Sequence, residues 1–124
     1  MVHILVIDDD EDLRDLLSQY LMLENHEVTT ASDGLAGIQL VKSEKFDLII
    51  TDIIMPNKDG IEFILDLLDD PDVENTPIIA MSGGKRKISS EFNLVSASTL
   101  GVKAILKKPF TSHELYKSVK SALT

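Results

Sequence analysis

Four short apolar runs most constrain the fold, because each is rich in aliphatic residues and stops abruptly on a polar residue. The runs are Ile4–Ile7, Leu48–Thr51, Ile78–Met81 and Ala104–Leu106. Runs of this length without polar alternation are typical of strands buried on both faces of a parallel sheet. Carboxylates, a hydroxyl and ammonium groups follow them, on Asp8, Asp9, Asp10, Asp52, Ser82, Lys107 and Lys108. Because ligand sites of an open parallel sheet lie outside the carboxyl ends of its strands, we expect these groups to converge at one edge.

Helical patterns separate the runs, so strands and helices alternate five times along the chain. The first helix has an apolar stripe of Leu13, Leu16, Leu17, Tyr20 and Leu21. A second strand is predicted near Glu27–Thr30, and a helix follows from the Ser32-Asp33 cap through Leu35, Ile38 and Val41. This alternation predicts an α/β fold, a doubly wound five-stranded parallel sheet of order 2-1-3-4-5, as in the flavodoxin-like three-layer sandwich.

The later helices are predicted by the same periodicity. One has the stripe Ile61, Ile64, Leu65 and Leu68, and a weakly amphipathic helix is expected at about Glu91–Leu100. Thr111 and Glu114 have the spacing of a capping box, which opens a last helix with Leu115, Val119, Ala122 and Leu123 inward. No linker or second domain is visible, so residues 1–124 are expected to form one domain without an output domain.

Composition excludes several classes of function. The formal net charge of −9 argues against nucleic-acid binding, which needs clustered Lys and Arg to neutralise phosphates. The absence of cysteine excludes a disulfide framework and a thiolate zinc site. No apolar stretch approaches the roughly 20 residues of a membrane span, and no signal-peptide pattern precedes the first strand. We therefore expect a cytoplasmic protein that binds neither nucleic acid nor membrane.

The carboxylates predict a metal site. Asp8 and Asp9 follow the first strand and Asp52 follows the third, and these two strands are neighbours about 4.8 Å apart in the expected order. Clustered carboxylates repel one another unless a cation neutralises them. A hard divalent ion with oxygen ligands, Mg²⁺ above all with Mn²⁺ as the alternative, meets that need. The competing interpretation, three separate helix caps and turn residues, stays open at this point.

Lys108 and Ser82 supply the other chemical groups of the edge. Lys108 precedes Pro109, which holds it extended, so its ammonium can reach across to the carboxylates while Lys107 points to the opposite side. Ser82 either begins a turn with Gly83-Gly84 or donates a hydrogen bond to a phosphoryl oxygen. None of the three histidines is predicted at this edge, which argues against a Ser-His-Asp nucleophile.

Together these groups are the parts of Mg²⁺-assisted phosphoryl transfer onto a carboxylate. Asp52 is the best candidate for the nucleophile, because it stands alone at the end of the central strand. Asp8 and Asp9, in contrast, are adjacent in the manner of metal ligands.

The chain resembles the receiver domain of two-component response regulators over its whole length. The resemblance rests on four segments in the family's order, ILVIDDDEDLR, FDLIITDIIMPNKDG, PIIAMSGG and AILKKPF. It implies that Asp52 accepts the phosphoryl group and that Asp9, Asp52 and the backbone carbonyl of Ile54 bind Mg²⁺ directly. It also implies that Asp8 holds the ion through water. Ser82 stands at the switch position of the family, Lys108 would contact the phosphoryl oxygens, and Lys108-Pro109 resembles the family's cis peptide.

The resemblance also implies partners. A histidine kinase or a histidine phosphotransfer protein would be the phosphodonor. A downstream protein would bind the face formed by the fourth helix, fifth strand and fifth helix, on a monomer or a phosphorylation-dependent dimer. The chain departs from the family pattern in Ile105, where an aromatic switch residue is frequent, in a longer Gly83–Ser90 stretch, and in an apolar Ile54.

Two other functions are alternatives to a phospho-accepting regulator. An aspartate-nucleophile Mg²⁺ phosphatase normally has a second carboxylate two residues after the nucleophile, but here that residue is Ile54. A phosphate-independent interaction module of the same fold would have no need of the complete acceptor site. The sequence therefore favours a phospho-accepting regulator over an enzyme that turns over a separate substrate.

Overall fold

The computed structural model describes residues 2–52, 65–66, 69, 75–82 and 102–124. Within these residues, five parallel strands form one sheet of order β2-β1-β3-β4-β5. Their bounds are β1 His3–Ile7, β2 Glu27–Ala31, β3 Leu48–Asp52, β4 Ile78–Ser82 and β5 Ala104–Lys107. The strand order and the parallel pairing predicted from the apolar runs are confirmed.

Three helices are bounded within the described ranges, α1 Glu11–Leu23, α2 Gly34–Ser43 and α3 Ser112–Leu123. Asp10 and Asp33 cap α1 and α2, each with a side chain that accepts a hydrogen bond from a backbone N–H of the first turn. Thr111 and Glu114 form the predicted capping box at the start of α3. In the described part of the chain, no helix is long and apolar enough to cross a membrane.

The core lies on both faces of the sheet. Because side chains alternate along a strand, Ile4 and Val6 pack on the face covered by α1 and α3, whereas Leu5 and Ile7 pack on the face covered by α2. Every residue of β3 is buried, and so are all but the first residues of β1 and β4. These strands therefore carry the doubly buried pattern that their aliphatic runs predicted. β5 is less buried, since it is an edge strand.

In the first two helices, two residues of the predicted stripes are not in the core. Leu16 is 43% exposed and Leu35 is 52% exposed, so placing them on the inward faces was wrong. In α1, buried Leu17 lies about 100° around the helix from Leu16, which leaves Leu16 at the border of the packed face. In α2 the buried face is centred on Gly34, Gly37 and Val41.

Several predictions fall on residues outside the described ranges. They are the Ile54 carbonyl, the Gly83–Ser90 segment, the stripe residues Ile61, Ile64 and Leu68, and the helix expected at about Glu91–Leu100. Leu65 is described, and it is 47% exposed.

Candidate functional site

The polar residues singled out in the sequence meet at the carboxyl edge of the sheet. Asp8 directly follows β1, Asp52 ends β3, Ser82 ends β4 and Lys108 directly follows β5. The strand register aligns them, because Ile7 pairs with Thr51 and the next residues on these neighbouring strands are Asp8 and Asp52. On the other side of β3, Asp52 pairs with Met81, the residue before Ser82.

Asp8, Asp9 and Asp52 form an acidic cluster. Each offers a carboxylate oxygen, and these oxygens lie within 4.8 Å of one another. Asp8 and Asp52 are buried, whereas Asp9 is exposed, so the cluster opens to solvent on one side. Oxygen donors at this spacing fit a hard divalent cation such as Mg²⁺, which binds through a few carboxylates and keeps several waters. The predicted convergence of the three carboxylates is present in the structure.

Lys108 lies against two members of this cluster. Its Nζ donates to Asp8 Oδ2 at 2.7 Å and to Asp52 Oδ2 at 3.0 Å, and its side chain is only 12% exposed. Lys107 is exposed, as the sequence argument for choosing Lys108 requires. Burial lowers the pKa of the Lys108 ammonium, but the hydrogen bond to Asp8 and the charge of Asp52 outweigh that effect. The net result is a raised pKa, so this lysine is firmly cationic.

Hydrogen bonds fix both the backbone and the carboxylate of Asp8. Its N–H donates to the Ala31 carbonyl of β2 at 3.2 Å, and its Oδ1 accepts from the Asp10 N–H at 2.9 Å. Its Oδ2 accepts from Lys108, and it is 0% exposed. A buried carboxylate is tolerated when both oxygens have donors, which is the case here.

One contact at this edge was missed by the sequence argument. Arg14 Nη1, on α1, donates to the backbone carbonyl of Asp8 at 2.6 Å. A basic residue one helical turn after the Asp10 cap was the available signal. It was weak, because a single arginine on a helix is usually a solvent-facing charge.

Ser82 carries a buried hydroxyl at the same edge. The residue is 1% exposed, and within the described residues its Oγ has no hydrogen-bond partner. Leaving such a group unsatisfied costs about 1–3 kcal/mol. The backbone carbonyl of Ser82 accepts from the Lys108 N–H at 2.8 Å, which ties the ends of β4 and β5 together.

The remaining predicted positions are peripheral. Ile105 is half-buried on β5 and Pro109 is exposed. The Lys108–Pro109 peptide bond is cis, which agrees with the resemblance to receiver domains. Ile54, the expected source of a backbone ligand, lies outside the described residues.

The open parallel sheet of order 2-1-3-4-5 defines a flavodoxin-like α/β protein, and its carboxyl edge bears a carboxylate cluster that is compatible with a bound cation. A sequence model of the response regulator receiver domain matches residues 4–120, and the chain belongs to that family. Receiver domains accept a phosphoryl group from histidine kinases, act on downstream partners and bind Mg²⁺ in an acidic pocket. They are signalling phospho-acceptors rather than classical enzymes.

Similar proteins include regulatory proteins longer than this chain and a solved response regulator that this chain covers almost entirely. The chain is 37% identical over 114 residues to the transcription factor SKN7 of Candida albicans, with 92% of this chain and 19% of that protein covered. It is 33% identical over 123 residues to a CpxR homolog of Haemophilus influenzae, with 99% and 51% covered. The chain thus spans about half the length, or less, of these relatives. The solved chemotaxis response regulator CheY4 of Vibrio cholerae superimposes with a TM-score of 0.89 at 28% identity, covering 99% of both chains.

Proposed function

We propose that this domain takes a phosphoryl group on Asp52 from a phosphohistidine of a kinase or phosphotransfer protein. An Asp52 carboxylate oxygen forms the new O–P bond while the P–N bond of the donor breaks. The leaving imidazole nitrogen takes a proton from solvent, and the product is an acyl phosphate on Asp52. The observation that carries this proposal is the contact of one partly buried ammonium with both Asp8 and Asp52, beside a buried hydroxyl without a partner in the described residues.

The acidic cluster supports a Mg²⁺ requirement. Asp9 and Asp52 are proposed to bind the ion directly, and the backbone carbonyl of Ile54 is proposed as a third ligand. Asp8 is proposed to act through water, since both of its carboxylate oxygens already accept hydrogen bonds from protein donors. A bound divalent ion would supply positive charge to the transferring phosphoryl oxygens. Mn²⁺, which also prefers oxygen ligands, is the expected substitute.

Lys108 and Ser82 are proposed to bind the phosphoryl group itself. The Lys108 ammonium stays cationic because its pKa is raised, so it can move from the carboxylates to a phosphoryl oxygen with its charge retained. Ser82 Oγ could donate to another oxygen, and this contact would satisfy a group that is otherwise buried without a partner. A free-energy gain that exists only in the phosphorylated state is what a switch requires.

Signal output is proposed to follow from the binding of Lys108 and Ser82 to the phosphoryl group. Ser82, Ile105 and Pro109 lie on or beside β4 and β5, next to the predicted docking face of the fourth helix, β5 and α3. Repacking there would alter the affinity for a downstream protein or drive dimer formation.

Incubation with Mg²⁺ and a small phosphodonor such as acetyl phosphate, followed by intact-mass measurement, tests the acceptor. We expect one phosphoryl adduct that is labile in acid and in base, as an acyl phosphate is, and that does not form in the presence of EDTA. It should be absent in Asp52→Asn and retained in Asp47→Asn, because Asp47 immediately precedes β3 at the amino end of the same strand. An adduct that persists in Asp52→Asn would refute the assignment.

Partner binding is tested separately with the phosphoryl mimic beryllofluoride. We expect a change in the affinity for a candidate partner, or in the oligomeric state, that is lost in Ser82→Ala. Equal binding with and without the mimic would favour a phosphate-independent interaction module.

A further inference from the structure

Arg14 is a charged residue at this edge to which the proposed transfer reaction gives no role. Its guanidinium reaches from the first turns of α1 to the backbone carbonyl of Asp8, at 2.6 Å from Nη1. We infer that Arg14 is a positioning residue, which presents the Asp9 carboxylate to the metal by fixing the Asp8–Asp9 peptide plane. This inference rests on the proposed function, because it concerns the same Mg²⁺ site.

The other polar groups of Asp8 are already held by hydrogen bonds. The backbone N–H is paired with β2 through the Ala31 carbonyl, and the two carboxylate oxygens accept from Asp10 and Lys108. The carbonyl oxygen is the remaining polar atom of Asp8, and Arg14 is its donor among the described contacts. A charge-assisted hydrogen bond of this length is among the stronger ones in proteins.

The peptide that joins Asp8 to Asp9 moves as one rigid unit. A trans peptide is planar, so the carbonyl of Asp8 and the N–H of Asp9 point in opposite directions within one rigid unit. Holding the carbonyl toward α1 therefore sets the direction in which the chain leaves Asp8 and enters Asp9. Asp9 is exposed and has left β1, so the regular strand pairing no longer orients it.

The backbone of Arg14 is itself held by hydrogen bonds within α1 and its cap. Its N–H donates to the Asp10 carbonyl at 3.0 Å, and its own carbonyl accepts from Ser18 Oγ at 2.8 Å. Asp10 in turn caps α1 by accepting from the Leu13 N–H at 3.2 Å. Arg14 thus links the start of a capped helix to the strand end that bears the metal ligands.

Removal of Arg14 should change the Mg²⁺ affinity in opposite directions, depending on whether its charge or its positioning of the peptide matters more. A cation near a Mg²⁺ site repels the ion, so loss of its charge alone would tighten Mg²⁺ binding. Loss of the peptide anchor would instead weaken binding, and removing groups that orient ligands typically lowers metal affinity about tenfold or more. The sign of the change therefore separates the two roles.

The test is a direct Mg²⁺ titration of the full chain by isothermal calorimetry, with wild type, Arg14→Met and Arg14→Lys compared. Lys42→Met is the charge-matched control, since Lys42 is exposed in the last turn of α2. We expect Arg14→Met to bind Mg²⁺ about tenfold more weakly, Arg14→Lys to be intermediate and Lys42→Met to match wild type. The rate of phosphorylation at saturating Mg²⁺ should differ far less than the affinity.

Unchanged or tighter Mg²⁺ binding by Arg14→Met would overturn the inference and leave the proposed function intact. If thermal unfolding shows that Arg14→Met does not fold, Arg14→Lys decides, and wild-type affinity in that variant would overturn the inference. A wild-type chain that binds no Mg²⁺ would instead refute the proposed function itself.

Discussion

Replacement of Lys108 by methionine is the sharpest perturbation of the site. Its ammonium lies 2.7 Å from Asp8 and 3.0 Å from Asp52, and at an effective dielectric constant near 20 each contact has a gross attraction of about 6 kcal/mol. Most of that attraction offsets the desolvation of the three charges. Removing one partner of a buried pair nonetheless costs about 3–5 kcal/mol, because the other charges stay buried without it.

The assay is urea unfolding in EDTA, followed by circular dichroism. With a denaturant slope of about 2 kcal/mol per molar, a loss of about 3 kcal/mol moves the midpoint down by about 1.5 M urea. Lys107→Met is the matched control, because Lys107 is the preceding residue and is exposed. We expect it to change stability by less than about 0.5 kcal/mol.

Two further measurements check the reasoning about charge. Since the pKa of Lys108 is raised on folding, its stabilising effect is complete below the unfolded pKa of about 10.4 and is lost as the pH rises through the folded pKa. The stability difference between wild type and Lys108→Met should therefore be constant from about pH 7 to pH 10 and shrink above that. Saturating Mg²⁺ should stabilise Lys108→Met more than wild type, because the ion then has no ammonium to displace.

The reasoning would be refuted if Lys108→Met, in the absence of divalent ions, unfolded within about 0.5 kcal/mol of wild type. The same conclusion would follow if Mg²⁺ stabilised both proteins equally.

Other substitutions test the surrounding structure. Ser82→Ala should raise the unphosphorylated protein's stability by about 1 kcal/mol in urea, because it deletes a buried hydroxyl without a partner in the described residues; a large loss would contradict this. Thr111→Ala should lower stability by about 1 kcal/mol, measured by thermal unfolding, through loss of the α3 capping box. Leu17→Ala should cost about 3 kcal/mol, whereas Leu16→Ala should cost less than about 1 kcal/mol. Comparable losses for the two leucines would show that the packed face of α1 is placed incorrectly.

The sheet was predictable because short, continuous aliphatic runs are typical of strands buried on both faces. Ile4–Ile7 and Leu48–Thr51 are completely buried, and they pair in parallel along their whole length. The helix faces were predicted less well. Counting apolar residues assigned Leu35 to the buried face of α2 and ignored Gly37, although Leu35 is exposed and Gly37 is buried.

The residues of the site that lie at strand ends were predictable. Asp8, Asp52 and Lys108 meet because their strands are neighbours or lie within one sheet, and a sequence shows where strands stop. The contact of Arg14 with the Asp8 carbonyl was not predictable. Every residue has a backbone carbonyl, so the sequence does not show which one an arginine will contact. The roles in metal binding and phosphoryl transfer remain predictions for the experiments above.

The hydrogen bond from the Lys108 N–H to the Ser82 carbonyl has a practical consequence. The bond joins the backbone amide of Lys108, proposed to neutralise the phosphoryl group, to the backbone carbonyl of Ser82, proposed to sense it. The nuclear magnetic resonance signal of that amide, and its rate of exchange with deuterium, depend on the length of this one bond. A single resonance could therefore follow both halves of the switch at once, without a dye or a fused reporter.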